Sequence, residues 1–338
     1  MKKVTLQEIA NSLGISRTTV WKVFSGHEGV SDSLRTKVIA KAQELGYAIP
    51  EDFQYPQSAE ETTPVNIAVA VCRPETSLFW MTIIHQIAKV FSTHNVNLVY
   101  TYLPTSADKT YFLPPTLTNG NVHGIIVLNV YNERLLRLLA ETQIPKVFLD
   151  TSSLVAPDEL NGDLLLMESR TSVRRITSHL LEHTLPGFIG DIGYAQSNRE
   201  RYEGFCQALT DAGKKVDSSL CLTTPLGIDT YREEIDTFLS SLSRMPDAFV
   251  CASDYVACIL MQLLEKRGLR VPEDVAVSGF DNNTEDLLAE HLTTVQVFNE
   301  ELGARLALQI LYRIKYPNTP HEVTYLGTNV LYRDSTGD

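Results

Sequence analysis

"VTLQEIANSLGISRTTVWKVFSG" (residues 4–26) decides how the rest of the chain is read. Thr5 followed three residues later by Glu8 fits a capping box, in which side chain and backbone satisfy each other's free groups. Leu6, Ile9, Ala10 and Leu13 then repeat at helical spacing, and Gly14 can end that helix in a tight turn. Ser16 can cap a second helix. At about 100° per residue, Val20 and Val23 fall on one side of it, and Arg17, Thr18, Trp21, Lys22 and Ser25 on the other. That outer face carries cations, hydroxyls and a large aromatic, and no acid. Ser31 can cap a third helix with Val38, Ile39, Ala42 and Leu45 as its apolar stripe and Gly46 at its end. Helix, glycine turn, helix and third helix make the helix-turn-helix plan, whose second helix enters the DNA major groove. Arg17, Thr18 and Lys22 have the chemistry for base edges and phosphates. The residues alone leave a second reading open: a three-helix cap with a solvated polar face.

Charge supports the first reading. The chain has 338 residues and a formal net charge of -12, which looks wrong for a nucleic-acid binder. Yet residues 1–49 carry seven Lys and Arg against four acids, a net +3, so the remainder carries -15. A basic head on an acidic body fits a head that meets phosphate and a body that does not. The five cysteines (Cys72, Cys206, Cys221, Cys251, Cys258) are scattered and form no C-x-x-C pair, as expected of reduced thiols. Cys206, Cys251 and Cys258 fall in apolar stretches and read as core. The N-terminus lacks the apolar stretch of a signal peptide, and no apolar run approaches the roughly 18 residues of a membrane helix. A cytoplasmic chain is expected, in which the Asn282-Asn283-Thr284 sequon means nothing.

The head closely resembles the DNA-binding head of LacI/GalR-family bacterial regulators. Their pattern V-T-x-x-x-I/V-A, G-V-S-x-x-T-V-S-R-V-x-N, V-S-x-x-T-R-x-x-V and L-x-Y runs without a gap through "VTLQEIANSLGISRTTVWKVFSG" and "VSDSLRTKVIAKAQELGY". The resemblance implies that Arg17 and Thr18 read bases, while Thr5, Ser16, Lys22 and Ser31 lie near phosphates. Trp21 stands where the family usually has Ser, so the family's usual operator does not follow; it could pack on a thymine methyl or a sugar, or shift the helix. After Gly46-Tyr47 the family usually continues P-N-x-x-A-R-x-L, a short hinge helix that wedges into the minor groove. Here residues 48–66 read "AIPEDFQYPQSAEETTPVN", with three prolines, four acids and no Arg, Lys or Leu. Acids repel phosphate and prolines restrict helix. The expectation is a linker without the usual insertion: a flexible tether, or one in which Phe53 or Tyr55 serves as wedge.

From Val65 onward, apolar runs alternate with helical stretches. Strands are expected at 66–71, 96–103, 124–129, 145–150, 187–191, 247–253 and 274–281, with helices such as 80–94, 169–183, 198–212, 229–242 and 255–267. That alternation argues a parallel α/β sheet, and the length suggests two sheets with a cleft. The resemblance continues through "SLFW", "IPKVFLD", "NRERYEGFCQAL", "RVPEDVAVSGFDN" and "LTTV". It implies a periplasmic-binding-protein-like body whose cleft holds Phe79, Trp80, Asp150, Arg201, Ser253 and Asp281. Such a set suits a polyol: aromatic faces pack on sugar C–H groups, while carboxylates and a forked Arg bond hydroxyls. Two departures bear on this. "MESRTS" replaces the family's D-N-x-x-G, and "EHTLPGFIG" replaces G-H-R-x-I-A. A phosphorylated ligand near Arg170, Arg174 or Arg175 is one consequence to consider, a plain solvated helix face the other.

The expected architecture is an all-α helix-turn-helix head (1–49), an atypical hinge or linker (50–63) and an α/β body (64–338) of two doubly wound parallel-sheet subdomains. The first spans about 64–160 and 293–320, the second about 161–292 and 321–338. The expected function is a DNA-binding regulator, a repressor and homodimer on a near-palindromic operator, set by a carbohydrate-like effector and needing no cofactor or metal. Other readings remain. The body could answer to a protein partner or to nothing. "HLLEH" (179–183) matches H-x-x-E-H, so His179, Glu182 and His183 could mark a zinc hydrolase. A transport-type binding protein is at odds with the head and the missing signal. No G-x-G-x-x-G, P-loop or G-x-S-x-G is present, leaving nucleotide enzymes and α/β-hydrolases without support. The tail "LYRDSTGD" offers no leucine heptad for a tetramer bundle.

Overall fold

A computed structural model describes residues 4–25, 27, 29–47, 64–72, 78–181, 185–227, 229–283 and 287–337. The chain divides into two compact units, at Thr63 and Pro64. The linker with Phe53 and Tyr55 lies outside the described residues.

In the first unit, α1 (Leu6–Leu13) begins at the expected capping box and ends at Gly14, whose φ of +64° needs a residue without Cβ. Helix α2 (Arg17–Phe24) is capped by Ser16, and α3 (Asp32–Glu44) by Ser31. Ile9, Ala10, Val20, Val23, Val38, Ile39 and Ala42 form one buried cluster. Leu45, expected on the stripe of α3, is instead its exposed C-terminal cap.

The body opens with β1 (Val65–Val71), α4 (Leu78–Phe91), β2 (Val96–Tyr102), β3 (Gly124–Leu128), α5 (Glu133–Glu141), β4 (Lys146–Leu149) and β5 (Asp163–Met167). It continues through α6 (Arg170–Leu180), β6 (Pro186–Ile189), α7 (Gln196–Asp211), β7 (Cys221–Leu222), α8 (Tyr231–Ser241), β8 (Ala248–Cys251), α9 (Asp254–Lys266) and β9 (Ala276–Ser278). Last come β10 (Thr294–Gln296), α10 (Asn299–Lys315), β11 (Val323–Leu326) and β12 (Asn329–Leu331). The first sheet runs β11-β5-β4-β3-β1-β2 and the second β7-β6-β8-β9, with every pairing parallel. Strands β10 and β12 form an antiparallel pair, tied to the second sheet by bridges Ser278–Thr293 and Asp281–Gln296.

Both faces of the first sheet are covered, which is why its strands read as continuous apolar runs. Ile67, Val69, Val71, Ile126 and Leu128 pack with Ile83 and Ile87 of α4 and Leu306 and Ile310 of α10. The alternate residues Ala68, Ala70, Ile125 and Val127 pack with Leu135, Leu136 and Leu139 of α5. Helices α10 and α4 come so close that a Cβ on Gly303 would sit 2.7 Å from the Ile83 carbonyl oxygen. Among the described residues no helix is long and apolar enough to cross a membrane.

The crossing points differ from expectation. Strands 163–167 and 323–326, assigned by sequence to the second subdomain, hydrogen-bond into the first sheet. The chain therefore crosses after Met167, between β10 and α10, and after Leu326. Strand β5 was not expected at all, because its short apolar run "LLLM" carries no period that separates strand from buried helix.

One buried ion pair fixes this topology. Asp163 heads β5, and its carboxylate accepts from Arg313 Nη2 at 2.6 Å and Nε at 3.1 Å, from Gln309 at 2.7 Å and from the Glu322 backbone at 2.9 Å. Arg313 also donates to the Thr319 and Pro320 carbonyls. The end of α10, the turn after it and the start of β11 are thus pinned to β5. Removing one partner of a buried pair leaves an uncompensated charge, at a cost of about 3–5 kcal/mol. Arg313→Ala should lower the stability of the body by that amount in urea unfolding followed by circular dichroism. A loss below about 1 kcal/mol would show that the pair does not hold the crossover.

Candidate functional site

The head presents its polar face on α2. Arg17, Thr18, Trp21 and Ser25 are exposed and Lys22 half-buried, opposite buried Val20 and Val23. Thr5, Ser16 and Ser31 are exposed, and all three are caps. Thr5 exchanges hydrogen bonds with Glu8, Ser16 Oγ accepts from the Thr19 backbone at 3.0 Å, and Ser31 Oγ accepts from Leu34 at 3.4 Å. Trp21 keeps 47% of its surface exposed, and its ring lies 4.8 Å from that of His27, tilted by 33°. His27 was not singled out by sequence, since it lies past the end of the helix.

In the body, Phe79, Trp80, Asp150, Arg201, Ser253 and Asp281 all line one cavity of about 230 Å³. They come from α4 and α7 and from the segments that follow β4, β8 and β9, which places the cavity at the carboxyl ends of parallel strands. Its volume lies just below the roughly 300–1,000 Å³ of drug-sized sites, a fit for a small polar molecule. Phe79 and Trp80 meet edge-to-face at 5.0 Å.

Three strand ends turn the same way. Asn129 after β3, Asp150 after β4 and Asp281 after β9 have φ of +54°, +63° and +112°, and all three side chains line the cavity. Asn and Asp tolerate left-handed backbone better than other residues with a Cβ. Strain of this kind persists where the surrounding structure over-determines it and clusters at binding sites.

Arg201 is buried. Its guanidinium lies 3.7 Å over the Phe280 ring, donates to the Ala252 carbonyl and pairs with Asp281 at 3.4 Å. Its Nε has no hydrogen-bond partner among the described residues. Asp150 accepts from Ser197 Oγ at 2.6 Å and from the Thr151 backbone at 2.8 Å. Ser197 opens α7, beside the second sheet, so this bond spans the two subdomains. The Thr151 carbonyl accepts from the Gln196 backbone at 2.8 Å at the same place. Ser253 caps α9, accepting from Val256 at 3.3 Å. Next to it, buried Asp254 accepts from Thr294 and Asn283.

Sequence reading missed part of the lining: Tyr131, Tyr194, Tyr231, Tyr255, Asn198 and Ser197. All six follow strand ends or open helices, so the rule that ligands meet the carboxyl ends of strands would have found them. Arg170 and Arg174, weighed for a phosphate, pair instead with Glu203 and Asp211, and exposed Arg175 shares their helix. His179 packs on Tyr332 at 4.8 Å; Glu182 and His183 lie outside the described residues. All five cysteines are thiols rather than disulfides; Cys251 and Cys258 are buried as expected, and Cys206 is half-buried.

A helix-turn-helix head followed by a binding-protein-like body is the plan of a DNA-binding transcription regulator. Residues 5–50 match the model described as bacterial regulatory proteins, lacI family, and residues 178–336 match the periplasmic binding protein-like domain. The chain thus carries a lacI-family DNA-binding head followed by a periplasmic binding protein-like domain. It is 25% identical over 340 residues to the HTH-type transcriptional repressor PurR of Photobacterium profundum, covering 99% of each chain. It is 28% identical over 316 residues to the HTH-type transcriptional regulator DegA of Bacillus subtilis, covering 89% of each. It shares the fold of the transcriptional regulator CelR in its cellobiose complex, with a TM-score of 0.69 at 24% identity, over 98% of this chain and 100% of the other.

Burial raises the acids of the cleft. Asp281 is pushed up to about 7 by desolvation, against the pull of Arg201, and Asp254 to about 6 by the same cause. Both hold protons more tightly in the fold than at the ordinary 3.8. The folded state therefore binds more protons than the unfolded chain between about pH 4 and 7, and stability falls as pH rises through that window. Asp281→Asn should flatten the fall, read as urea midpoints from pH 5 to 8. An identical slope in the variant would exclude Asp281 as the group responsible.

Proposed function

We propose that this protein represses transcription as a homodimer on a near-palindromic operator, and that a sugar or sugar derivative in the cleft sets its affinity. The observation that carries the effector half is the cavity itself. It joins an aromatic corner, Phe79 and Trp80, to two carboxylates and a guanidinium. Hydroxyls satisfy carboxylate and guanidinium together, and C–H faces suit the rings. The CelR structure with cellobiose agrees with that chemistry, and the PurR relative is a repressor by name.

On the head, Arg17, Thr18, Trp21, Lys22 and Ser25 form the reading face, with Thr5, Ser16 and Ser31 placed for phosphates. A homodimer is supported by apolar surface on the first subdomain. Leu78 and Met81 of α4 and Tyr100 and Tyr102 of edge strand β2 are 46–55% exposed. Clustered exposed apolar groups of this kind mark contact surfaces. Two-fold protein symmetry is then mirrored in the operator. An effector acts by preferring one subdomain arrangement, and the Asp150–Ser197 bond across the cleft gives it something to strengthen or break.

Selection of bound duplexes from a random pool, with and without a panel of sugars, sugar phosphates and nucleobases, tests both halves. A two-fold symmetric site whose capture changes with one sugar is expected. Arg17→Ala with Lys22→Ala should abolish the sequence preference. A site that answers only to a nucleobase would replace the sugar, since flat rings also stack on Phe79 and Trp80. A site indifferent to the whole panel would favour control by a protein partner. Where a sugar binds, calorimetry at pH 6 and 8 should show tighter binding at pH 8. Ligand hydroxyls donate to the ionised form of Asp281, which forms as pH rises through about 7.

A further inference from the structure

The reading face of α2 holds one group that neither phosphate contact nor hydrogen-bonded base recognition uses: a large aromatic, half exposed, where a small hydroxyl residue is usual. Trp21 lies one turn from both Arg17 and Ser25, on the exposed polar face opposite buried Val20 and Val23. Its indole N–H is one donor on a large apolar ring. An exposed ring of that size normally loses order or collapses onto its own helix. Here it has a fixed neighbour. His27 stacks against it at 4.8 Å. The His27 backbone is held at both ends, since its N–H donates to the Lys22 carbonyl at 3.0 Å and its carbonyl accepts from Arg35 Nη2 at 3.0 Å. Arg35 also donates to the Val23 carbonyl at 3.2 Å, which ties the end of α2 to the same guanidinium.

We propose that Trp21 and His27 form an aromatic shelf on which the Trp21 ring reads the 5-methyl group of a thymine in the major groove, with His27 as the positioning residue. The major groove offers few apolar features, and the thymine methyl is the one that separates T from C by contact alone. A preorganised ring spends less ordering entropy on that contact than a mobile one. The hydrogen-bonding part of the code stays with Arg17, Thr18 and Lys22. The operator half-site thus contains an obligatory thymine where the pairing chemistry of those three residues demands none. This rests on the DNA-reading role of α2.

The test starts from the selected operator of the wild-type protein. Each thymine is replaced by deoxyuridine, which keeps the base pair and removes only the methyl. One position per half-site should weaken binding by about fourfold, or about fifteenfold when both halves are changed, the value of one buried methyl each. Trp21→Ser should bind with no dependence on that methyl. His27→Ala should lose most of the dependence and His27→Phe should keep it, whereas a merely structural role would shift affinity equally on both duplexes. Arg17→Ala should bind more weakly with its uridine sensitivity intact. A wild-type protein insensitive to uridine at every thymine overturns the shelf but leaves DNA reading standing. So does a Trp21→Ser variant that loses affinity equally on both duplexes, the mark of sugar–phosphate packing. Failure to enrich any sequence would overturn the DNA reading and the shelf together.

Discussion

The buried pair Asp163–Arg313 is the constraint on which the body's topology hangs. A chain that crosses three times between two sheets must return to the right edge each time, and the strand that closes the first sheet, "VTYL", is too short to choose a partner by itself. A carboxylate with four donors at the head of β5 supplies the address. It holds the end of α10 and the backbone that enters β11. An apolar contact could add as much stability, but it would not distinguish one register of β11 from the next. Once β11 is placed, the third crossing and the β10–β12 pair follow, and with them the separation of the two subdomains.

The cleft is built on the same economy of fixed points. Three strands of the two sheets end in Asn or Asp with left-handed backbone, which swings each side chain over the end of its own sheet. Arg201 then ties the second sheet's loops together through Asp281, the Ala252 carbonyl and the face of Phe280. Between the subdomains Asp150 meets Ser197, the Thr151 carbonyl accepts from Gln196, Ser153 bonds Gly193 and Arg199, and Tyr325 donates to Glu200 at 2.8 Å. A sheet is stiff and a handful of hydrogen bonds is not, so motion concentrates between the sheets. Of the three acids whose proton affinity burial raises, Asp150 bonds across that seam and Asp281 lines the cleft, while Asp254 lies among the second subdomain's own loops.

Much of this was legible in the residues. The three caps and the valine stripe of the head are local patterns, and helices of this length obey local rules. The strands buried on both faces announced themselves as apolar runs. The six residues carried over from the family pattern share one cavity because strand ends are set by topology, which drifts slowly. What could not be read was long-range. Nothing in "DLLLM" says strand, and nothing near Asp163 points to Arg313, 150 positions away. The cavity's tyrosines lie in loops or at helix starts, where no period marks them and only the rule that ligands meet strand ends points to them. His27 is invisible as a partner of Trp21 until the turn after α2 is drawn.

The head keeps a core of its own, seven buried side chains, five of them Val or Ala. A unit of that size stands near the lower limit at which a chain holds a fold without disulfides, metals or partners. The body, with three apolar clusters, does not share that weakness. Contact with a duplex stabilises only the folded head, so part of the intrinsic affinity is consumed in keeping three helices assembled. The smaller core therefore makes the head the part of the chain whose fold gains most from contact with DNA.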